Sequence, residues 1–391
     1  MVMAGNAASR ISDAAARLCL DAGLGHVTMR SVATAADVAP SAVVYHFKTR
    51  DRLLAAMLDR IEDGIEAWRA ATAATLNAGP VSPGGPGALV SAVLCALVDA
   101  QGLATVAVPE VIRALRTTDS ADRATAIMAR ADRRADAFWQ SLPVLAGLDD
   151  EARAIWAAVA QGLVSLIMLD RVTVTRHARI IEVLMRLEDR LCGRAIMPAA
   201  APALPAAHGL AERPAGKQQI VEATIRLSGK VGIDGLTHRN IAAEAGLSVA
   251  STTYFYPSKD DIVVDAAHEL QARAINAVVA DAPSPPEILS RIALDADGHE
   301  RADLAALAAF ATAAVRLPDL HELAATFRNL RGAASVQWLA GRGFARADRL
   351  DGIIWSAATQ PLIERASLLP IPQRAAFLDT ISAAWMQRLF G

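Results

Sequence analysis

Residues 28–50, TMRSVATAADVAPSAVVYHFKTR, read as two short helices joined by a tight turn and followed at once by the start of a third. Thr28 is placed to cap the first, its hydroxyl accepting from a free amide at the helix start. Val32, Ala33 and Ala36 then fall on one face at helical spacing. Asp37 and Val38 make the turn, since Asp tolerates left-handed backbone where Gly is commoner. Pro40 opens the second helix, where its missing N–H costs nothing. That helix carries Ser41, Ala42, Val44, Tyr45 and His46 away from an expected buried pair, Val43 and Phe47. A unit of this kind lays its second helix in a DNA major groove.

The chain does this twice. Residues 237–259, THRNIAAEAGLSVASTTYFYPSK, superpose on the first stretch without a gap after a shift of 209 positions. Ile11, Leu18, Gly23, Thr28, Arg30, Ala33, Ala36, Tyr45 and Asp51 land on Ile220, Leu227, Gly232, Thr237, Arg239, Ala242, Ala245, Tyr254 and Asp260. Val32, Val38 and Leu53 land on the equally apolar Ile241, Leu247 and Ile262. A repeat of so long a period means two copies of a domain, not a solenoid.

Working outward, residues 10–22 form a helix with Ile11, Ala14, Ala15 and Leu18 on one face and Gly23 just past its end. Thr49 caps a longer fourth helix, with Asp51 in its first turn and Leu53, Leu54, Met57, Leu58 and Ile61 as its buried stripe. It is expected to run to about Leu76, where AGPVSPGGPG breaks it. Further helices are expected over 87–101, 106–117, 120–141, 149–170 and 174–192. No stretch alternates with period two long enough to argue for a sheet. Residues 194–216 turn to Pro and Ala and read as an exposed, semi-extended linker. The plan then restarts, with helices expected over 217–231, 237–245, 249–256, 259–280, 285–297, 299–316, 319–341, 346–368 and 372–389. A second signal supports duplication of whole units: Ile155, Trp156, Gln161 and Leu163 match Ile354, Trp355, Gln360 and Leu362 at an offset of 199.

The 391 residues suffice for two to four domains. Net charge is −2, so no whole-chain basic signal announces nucleic acid, and any grip on DNA must come from local placement. Residues 1–61 carry seven Lys/Arg against five Asp/Glu, whereas 217–270 carry five against seven. Cys19, Cys95 and Cys192 are widely spaced, with no metal or disulfide pattern, which fits a reducing cytoplasm. The uncharged run Ala154–Leu169 contains Gln161 and Ser165 and falls short of the roughly 20 residues a membrane span needs. The first ten residues are too polar for a secretory leader. A soluble, cytoplasmic protein is expected. His177, His299 and His321 are scattered and form no metal cluster. A glycine-rich phosphate loop, a nucleophile elbow and paired catalytic carboxylates are all missing, so the sequence points to no enzyme, metal or cofactor.

Thr-x-Arg opening the second helix, a recognition helix ending Tyr45-His46-Phe47, and a basic residue starting a long fourth helix resemble the TetR family of one-component bacterial regulators. The resemblance covers both heads closely and both bodies by helix count. It implies an all-α fold of two units, each a three-helix DNA-binding head and a helical effector and dimerisation body. The units divide at 1–49, 50–193, 217–258 and 259–391. Such proteins pair through their last two body helices, so here helices 149–170, 174–192, 346–368 and 372–389 would build the bundle of an intramolecular pseudo-dimer. The family's base-contacting positions correspond to Pro40, Ser41, Ala42, Val44, Tyr45 and His46, and to Val249, Ala250, Ser251, Thr253, Tyr254 and Phe255. Its phosphate contacts correspond to Thr28, Tyr45 and Arg50, and to Thr237, Tyr254 and Lys259, with Arg30 and Arg239 beside them. The family often has Tyr where Val44 and Thr253 stand, and His where Phe255 stands. Unequal recognition helices predict an imperfectly palindromic operator.

The implied partners are double-stranded DNA and a small-molecule effector, and repression is inherited from the resemblance. Trp156 and Trp355 lie in helices apolar nearly all round and read as core. Met128, Phe138, Trp139 and Met168 in the first body, and Phe310, Phe327 and Trp338 in the second, are mostly core too. Some of them would line an effector cavity, and the apolar composition favours a largely apolar effector. Glu244, Asp260 and Asp261 would repel a phosphate backbone. A second class of function therefore stays open: a ligand-binding or protein-interaction module with one or both heads inactive for DNA.

Overall fold

In each head, capping and turn chemistry set where the helices begin and end. The computed structural model describes residues 2–79, 84–116, 118–170, 172–199, 212–279, 289 and 299–391, and among these there is no strand. The first head comprises α1 (Val2–Ala22), α2 (Met29–Ala36) and α3 (Pro40–Phe47), and leads into α4 (Arg50–Ala78). Thr28 caps α2 by accepting from the Ser31 amide, and Ser31 reciprocates to the Thr28 amide. Asp37 ends α2 with φ at 53°, the left-handed conformation that lets the chain turn into Pro40. Val43 is fully buried, while Phe47 is only half-buried.

The first body continues through α5 (Pro86–Leu115), α6 (Ala121–Gln140), α7 (Asp150–Ile167) and α8 (Thr173–Leu191). The second head is α9 (Ala215–Val231), α10 (His238–Ala245) and α11 (Val249–Phe255). Its body is α12 (Lys259–Val279), α13 (His299–Ala314), α14 (His321–Leu330), α15 (Ala333–Gly341), α16 (Arg349–Ser367) and α17 (Ile371–Phe390). The helix expected over 285–297 lies outside the described residues apart from Leu289, as does the middle of the 194–216 linker, residues 200–211. The linker's described ends are held rather than loose. The Ala199 amide donates to Asp348, and Arg213, almost wholly buried, pairs with Asp265 and Glu269.

The first helix begins at Val2, eight residues before its expected start, and two body boundaries differ where a glycine explains why. Residues 86–115 are one helix, not two: a Cβ on Gly102 would sit 2.7 Å from the Met168 sulfur, so this glycine permits close packing instead of breaking the helix. Conversely, the single helix expected over 319–341 breaks at Gly332, which has φ at 86°. A Cβ there would lie 2.5 Å from the Ile353 amide, so the break lets α16 approach. By length and composition α5 could cross a membrane, a span that lies outside Ala154–Leu169. Its residues Leu89, Val90, Val93, Leu94, Leu97 and Val98 are instead buried in the protein's own core.

The units join through α7 and α16, which pack along each other, with α8 and α17 completing a four-helix bundle. One continuous core runs through all four, including Trp156, Leu163, Leu184, Leu187, Trp355, Leu362, Leu378 and Trp385. The crossing is so close that a Cβ on Gly162 would lie 2.0 Å from the Ala357 carbonyl oxygen. Trp338 stacks on Trp355 with ring centroids 5.5 Å apart. A buried ion-pair network closes one end, where Arg190 donates twice to Asp351 at 2.9 and 2.6 Å and Arg186 bridges Asp348 and Asp351. The heads also touch directly, since the Gly25 amide donates to Asp234 at 2.9 Å. The chain is thus an all-α pseudo-dimer in which both units share one core.

Candidate nucleic-acid interface

A groove-reading helix must leave its side chains to solvent, against the general tendency of apolar groups to be buried. Both third helices do so. Tyr45 is 78% exposed and Tyr254 is 83% exposed, although both are aromatic. Val44 and Val249 are about half exposed. Pro40 and Ser41 in α3, and Ala250 and Thr253 in α11, are exposed as well, whereas Ala42, His46, Ser251 and Phe255 are half-buried. The inward face anchors each helix through a fully buried residue, Val43 in one and Thr252 in the other.

The tyrosines are held in matching settings. Tyr45 meets the His46 ring edge-on at 5.2 Å, and Tyr254 meets Phe255 edge-on at 5.3 Å. Each side chain therefore stands beside a second ring at the end of its helix. Thr28 and Arg30 at the start of α2, and Thr237 and Arg239 around the start of α10, are exposed. The two threonine hydroxyls cap their helices, Thr237 accepting from Asn240 as Thr28 does from Ser31.

The basic residues differ between heads. Arg50 directs Nε to the Val27 carbonyl at 3.0 Å and Nη2 to the Leu24 carbonyl at 3.4 Å, so its guanidinium braces the loop before α2. Lys259, at the start of α12, is half-buried. Lys48, which the sequence reading did not single out, is exposed at the end of α3 with φ at 60°. Its place beside Tyr45 was the available signal.

Acidic groups on the second head are partly committed within the protein. Glu244 accepts from Arg226 at 3.0 Å and lies 3.7 Å from the Lys230 amine. Asp261 accepts from the Ser258 amide and hydroxyl, a reciprocal cap on α12. Their negative charge is thereby compensated or tied to a helix N-terminus.

The aromatic and sulfur side chains expected near an effector do not converge. Phe138, Trp139 and Trp338 are packed into the bundle core, Phe310 is fully buried in the second unit, and Met128 and Phe327 are half-buried against the two head cores. Met168 lines a cavity of about 300 Å3 between the units. That cavity also takes in Asp170 and Arg179 from the first unit and Arg328 from the second, none of which the sequence singled out. Among the described residues no group of three or more His, Cys, Asp or Glu is arranged to hold a metal.

Residues 11–57 and 220–266 each match the family described as bacterial regulatory proteins, tetR family. The chain is also similar to a solved structure, a member of the TetR family from Streptomyces coelicolor A3. That protein is 28% identical over 43% of this chain and 98% of its own, with a TM-score of 0.26. No curated protein matches the chain. The two matched segments are displaced by the repeat offset of 209 at both ends, and each coincides with a capped helix-turn-helix head; the chain carries two DNA-binding domains of the bacterial regulatory tetR family in tandem.

Proposed function

We propose that the chain is a one-component transcriptional repressor that reads one operator with both heads and is released by a small-molecule effector. The observation carrying this reading is the pair Tyr45 and Tyr254: two aromatic residues at equivalent repeat positions, each more than three-quarters exposed at the end of a recognition helix. A packing role would bury them. In the proposed complex, side chains of Pro40, Ser41, Ala42, Val44, Tyr45 and His46 face one half-site, and Val249, Ala250, Ser251, Thr253, Tyr254 and Phe255 face the other. Thr28, Arg30, Thr237, Arg239 and Lys259 sit against the phosphates, with Arg50 bracing the loop beside them. Because the two sets differ, the operator is an imperfect palindrome.

Fusion replaces a bimolecular association by a permanent one, so the pair of heads is present at any concentration. Release follows from linkage: an effector that binds better to one arrangement of the two units shifts the heads and lowers DNA affinity by the coupling energy. The bundle supports this route, because any shift of α7 against α16 moves one unit relative to the other. The protein would act in the cytoplasm, without a metal, cofactor or catalytic step.

Gel shift and footprinting on DNA upstream of the chain's own coding region test the reading. A single protected site with two unequal halves is expected, with a marked salt dependence. Two identical halves protected with equal strength would remove the imperfect-palindrome assignment. No sequence preference over competitor DNA would favour the ligand-binding or interaction module instead.

A further inference from the structure

The cavity between the units has a polar wall built from both of them. Asp170, only 4% exposed, lies just past the end of α7 in the first unit. Its Oδ1 accepts from Thr175 at 2.9 Å, and Arg179 Nε stands 3.5 Å from its Oδ2. From the second unit, Arg328 on α14 reaches across, donating Nη1 to the Leu169 carbonyl at 3.2 Å and lying 3.7 Å from Asp170. Met168, Leu169, Val172 and Ala314 supply an apolar remainder.

The charge balance of this wall is uneven. Two guanidinium groups share one carboxylate, which gives this wall a net positive charge, with His321 also on the lining. Donors are in excess as well: buried Arg179 Nη1 and Arg328 Nε have no hydrogen-bond acceptor, against one unpartnered acceptor, Asp170 Oδ2. Natural interiors seldom leave such atoms unsatisfied, and at the wall of a cavity a ligand is one way to complete the set. Burial, with the neighbouring Arg179, pulls the Arg328 pKa down, and Asp170 only partly offsets this. A cationic occupant, or one without acceptors, would leave both donors empty; a neutral acceptor could fill them, but only an anion also offsets the positive charge.

We propose that this cavity binds a small monocarboxylate with an apolar body, its carboxylate held by Arg328 of one unit and Arg179 of the other. Guanidinium groups suit this role because their N–H donors match carboxylate oxygens in pairs. The apolar body lies against Met168, Leu169 and Ala314. About 300 Å3 is the small end of ligand cavities, which selects a compact molecule.

The pseudo-symmetric side of the molecule does not offer the same site. At the body offset of 199, Asp170 aligns with Leu369, Arg179 with Leu378 and Arg328 with Ala129. There Arg365 of α16 pairs instead with Asp132 and Asp136 of α6, so its charge is already met. Among the described residues the proposed site therefore occurs once, not twice.

The binding claim needs no DNA, and its effect on the operator rests on the function proposed above. The full chain is titrated calorimetrically with phenylacetate and hexanoate at millimolar concentration, and with phenylacetamide and hexanamide as neutral counterparts. The acids are expected to bind with a stoichiometry of one per chain, and the amides about tenfold or more weaker. Arg328→Gln should weaken the acids by a similar factor. Arg328→Lys, which keeps the charge but loses the fork, should weaken them less, and Arg179→Gln serves as a second probe should R328Q fail to fold. Equal binding of acids and amides, no acid binding, two sites per chain, or acid binding untouched by both Gln variants overturns the proposal. Repeating the gel shift with and without acid separates the two readings. Acid that binds as described but leaves operator affinity unchanged removes the effector role and keeps the site.

Discussion

The backbone amide of Gly25 donates to Oδ2 of Asp234 at 2.9 Å, and the two residues are 209 positions apart, which is the period of the repeat. Each is therefore the other's counterpart. In a twofold interface only residues on the axis meet their own equivalents. The pseudo-dyad thus passes between the two heads at the loops preceding α2 and α10. It also crosses the bundle, where Gly162 meets Ala357. Ala357 corresponds to Ala158 at the body offset, so the axis lies midway, near Ala160 and Thr359.

The head-to-head contact predicts a crosslink. A Cβ built on Gly25 lies 3.4 Å from the Asp234 Cβ, close to the separation of about 3.5–4.5 Å that a disulfide requires. The double variant Gly25→Cys, Asp234→Cys, made with Cys192→Ser, should oxidise within one chain. Peptide mass spectrometry of a non-reduced digest would find the linked pair. Two free thiols at 25 and 234 after mild oxidation would mean that the heads do not adjoin in solution.

A second prediction concerns the bundle crossing. Replacing Gly by Ala within a helix normally stabilises by up to about 1 kcal/mol. At Gly162 the added Cβ would fall 2.0 Å from the Ala357 carbonyl oxygen, a backbone atom that cannot step aside. Overpacking of this kind costs roughly 1–3 kcal/mol and outweighs the propensity gain. Gly162→Ala should lower the urea midpoint, whereas Gly64→Ala on the exposed face of α4, with nothing within 4 Å of its Cβ, should raise or preserve it. If both shift alike, the crossing is looser than the geometry requires.

These contacts mark where the sequence could and could not be read. The heads were legible because their determinants are local: Thr28 three residues before Ser31, Asp37 at the turn, Pro40 opening the next helix, and the same spacing again at 237–259. The bodies were legible in their helical character and in the Trp156/Trp355 repeat. Their breaks were not, because Gly102 and Gly332 answer to Met168 and Ile353, residues tens of positions away or in the partner helix. Arg50 matched a phosphate-contact position in sequence, and its bonds to the Val27 and Leu24 carbonyls show only in the fold. The Asp170–Arg179–Arg328 wall joins side chains up to 158 positions apart and has no trace in either repeat alone.

Acid should loosen the unit boundary through Asp348. Burial alone would push this carboxyl up, but the Ala199 amide and Arg186 outweigh it and hold the group below its ordinary value of 3.8. A carboxylate depressed in the folded state contributes stability that is complete above the unfolded value and is lost as pH falls through the folded one. The urea midpoint should therefore drop as pH falls below 3.8, and Asp348→Asn should flatten part of that fall. An unchanged acid profile in the variant would exclude Asp348 as a source.

Thiol chemistry checks the packing independently. Burial pushes the Cys19 thiol up to about 12 and also raises that of Cys95, while Cys192 is exposed. A disulfide reagent at neutral pH should titrate one thiol in the native chain and three after denaturation, and Cys192→Ser should abolish the fast reaction. Fast modification of Cys19 would show that the first head opens readily.

The two tyrosines decide whether both heads grip DNA. Each is more than three-quarters exposed, so Tyr45→Ala and Tyr254→Ala should change stability by no more than about 0.5 kcal/mol. Any loss of operator affinity then reports on binding and not on folding. Both substitutions are expected to weaken the complex, with the two half-sites affected separately in footprints. Charge variants add a count: Lys259→Gln in the second head and Lys48→Gln in the first should each reduce the salt slope by about one. Lys48 is the cleaner probe of the first head, because Arg50→Gln would also release the Leu24 and Val27 carbonyls and disturb the loop itself. Affinity that falls with Tyr45→Ala and Lys48→Gln but ignores Tyr254→Ala and Lys259→Gln would make the second head a structural partner, even though Glu244 is neutralised by Arg226 and Asp261 is spent on its helix cap.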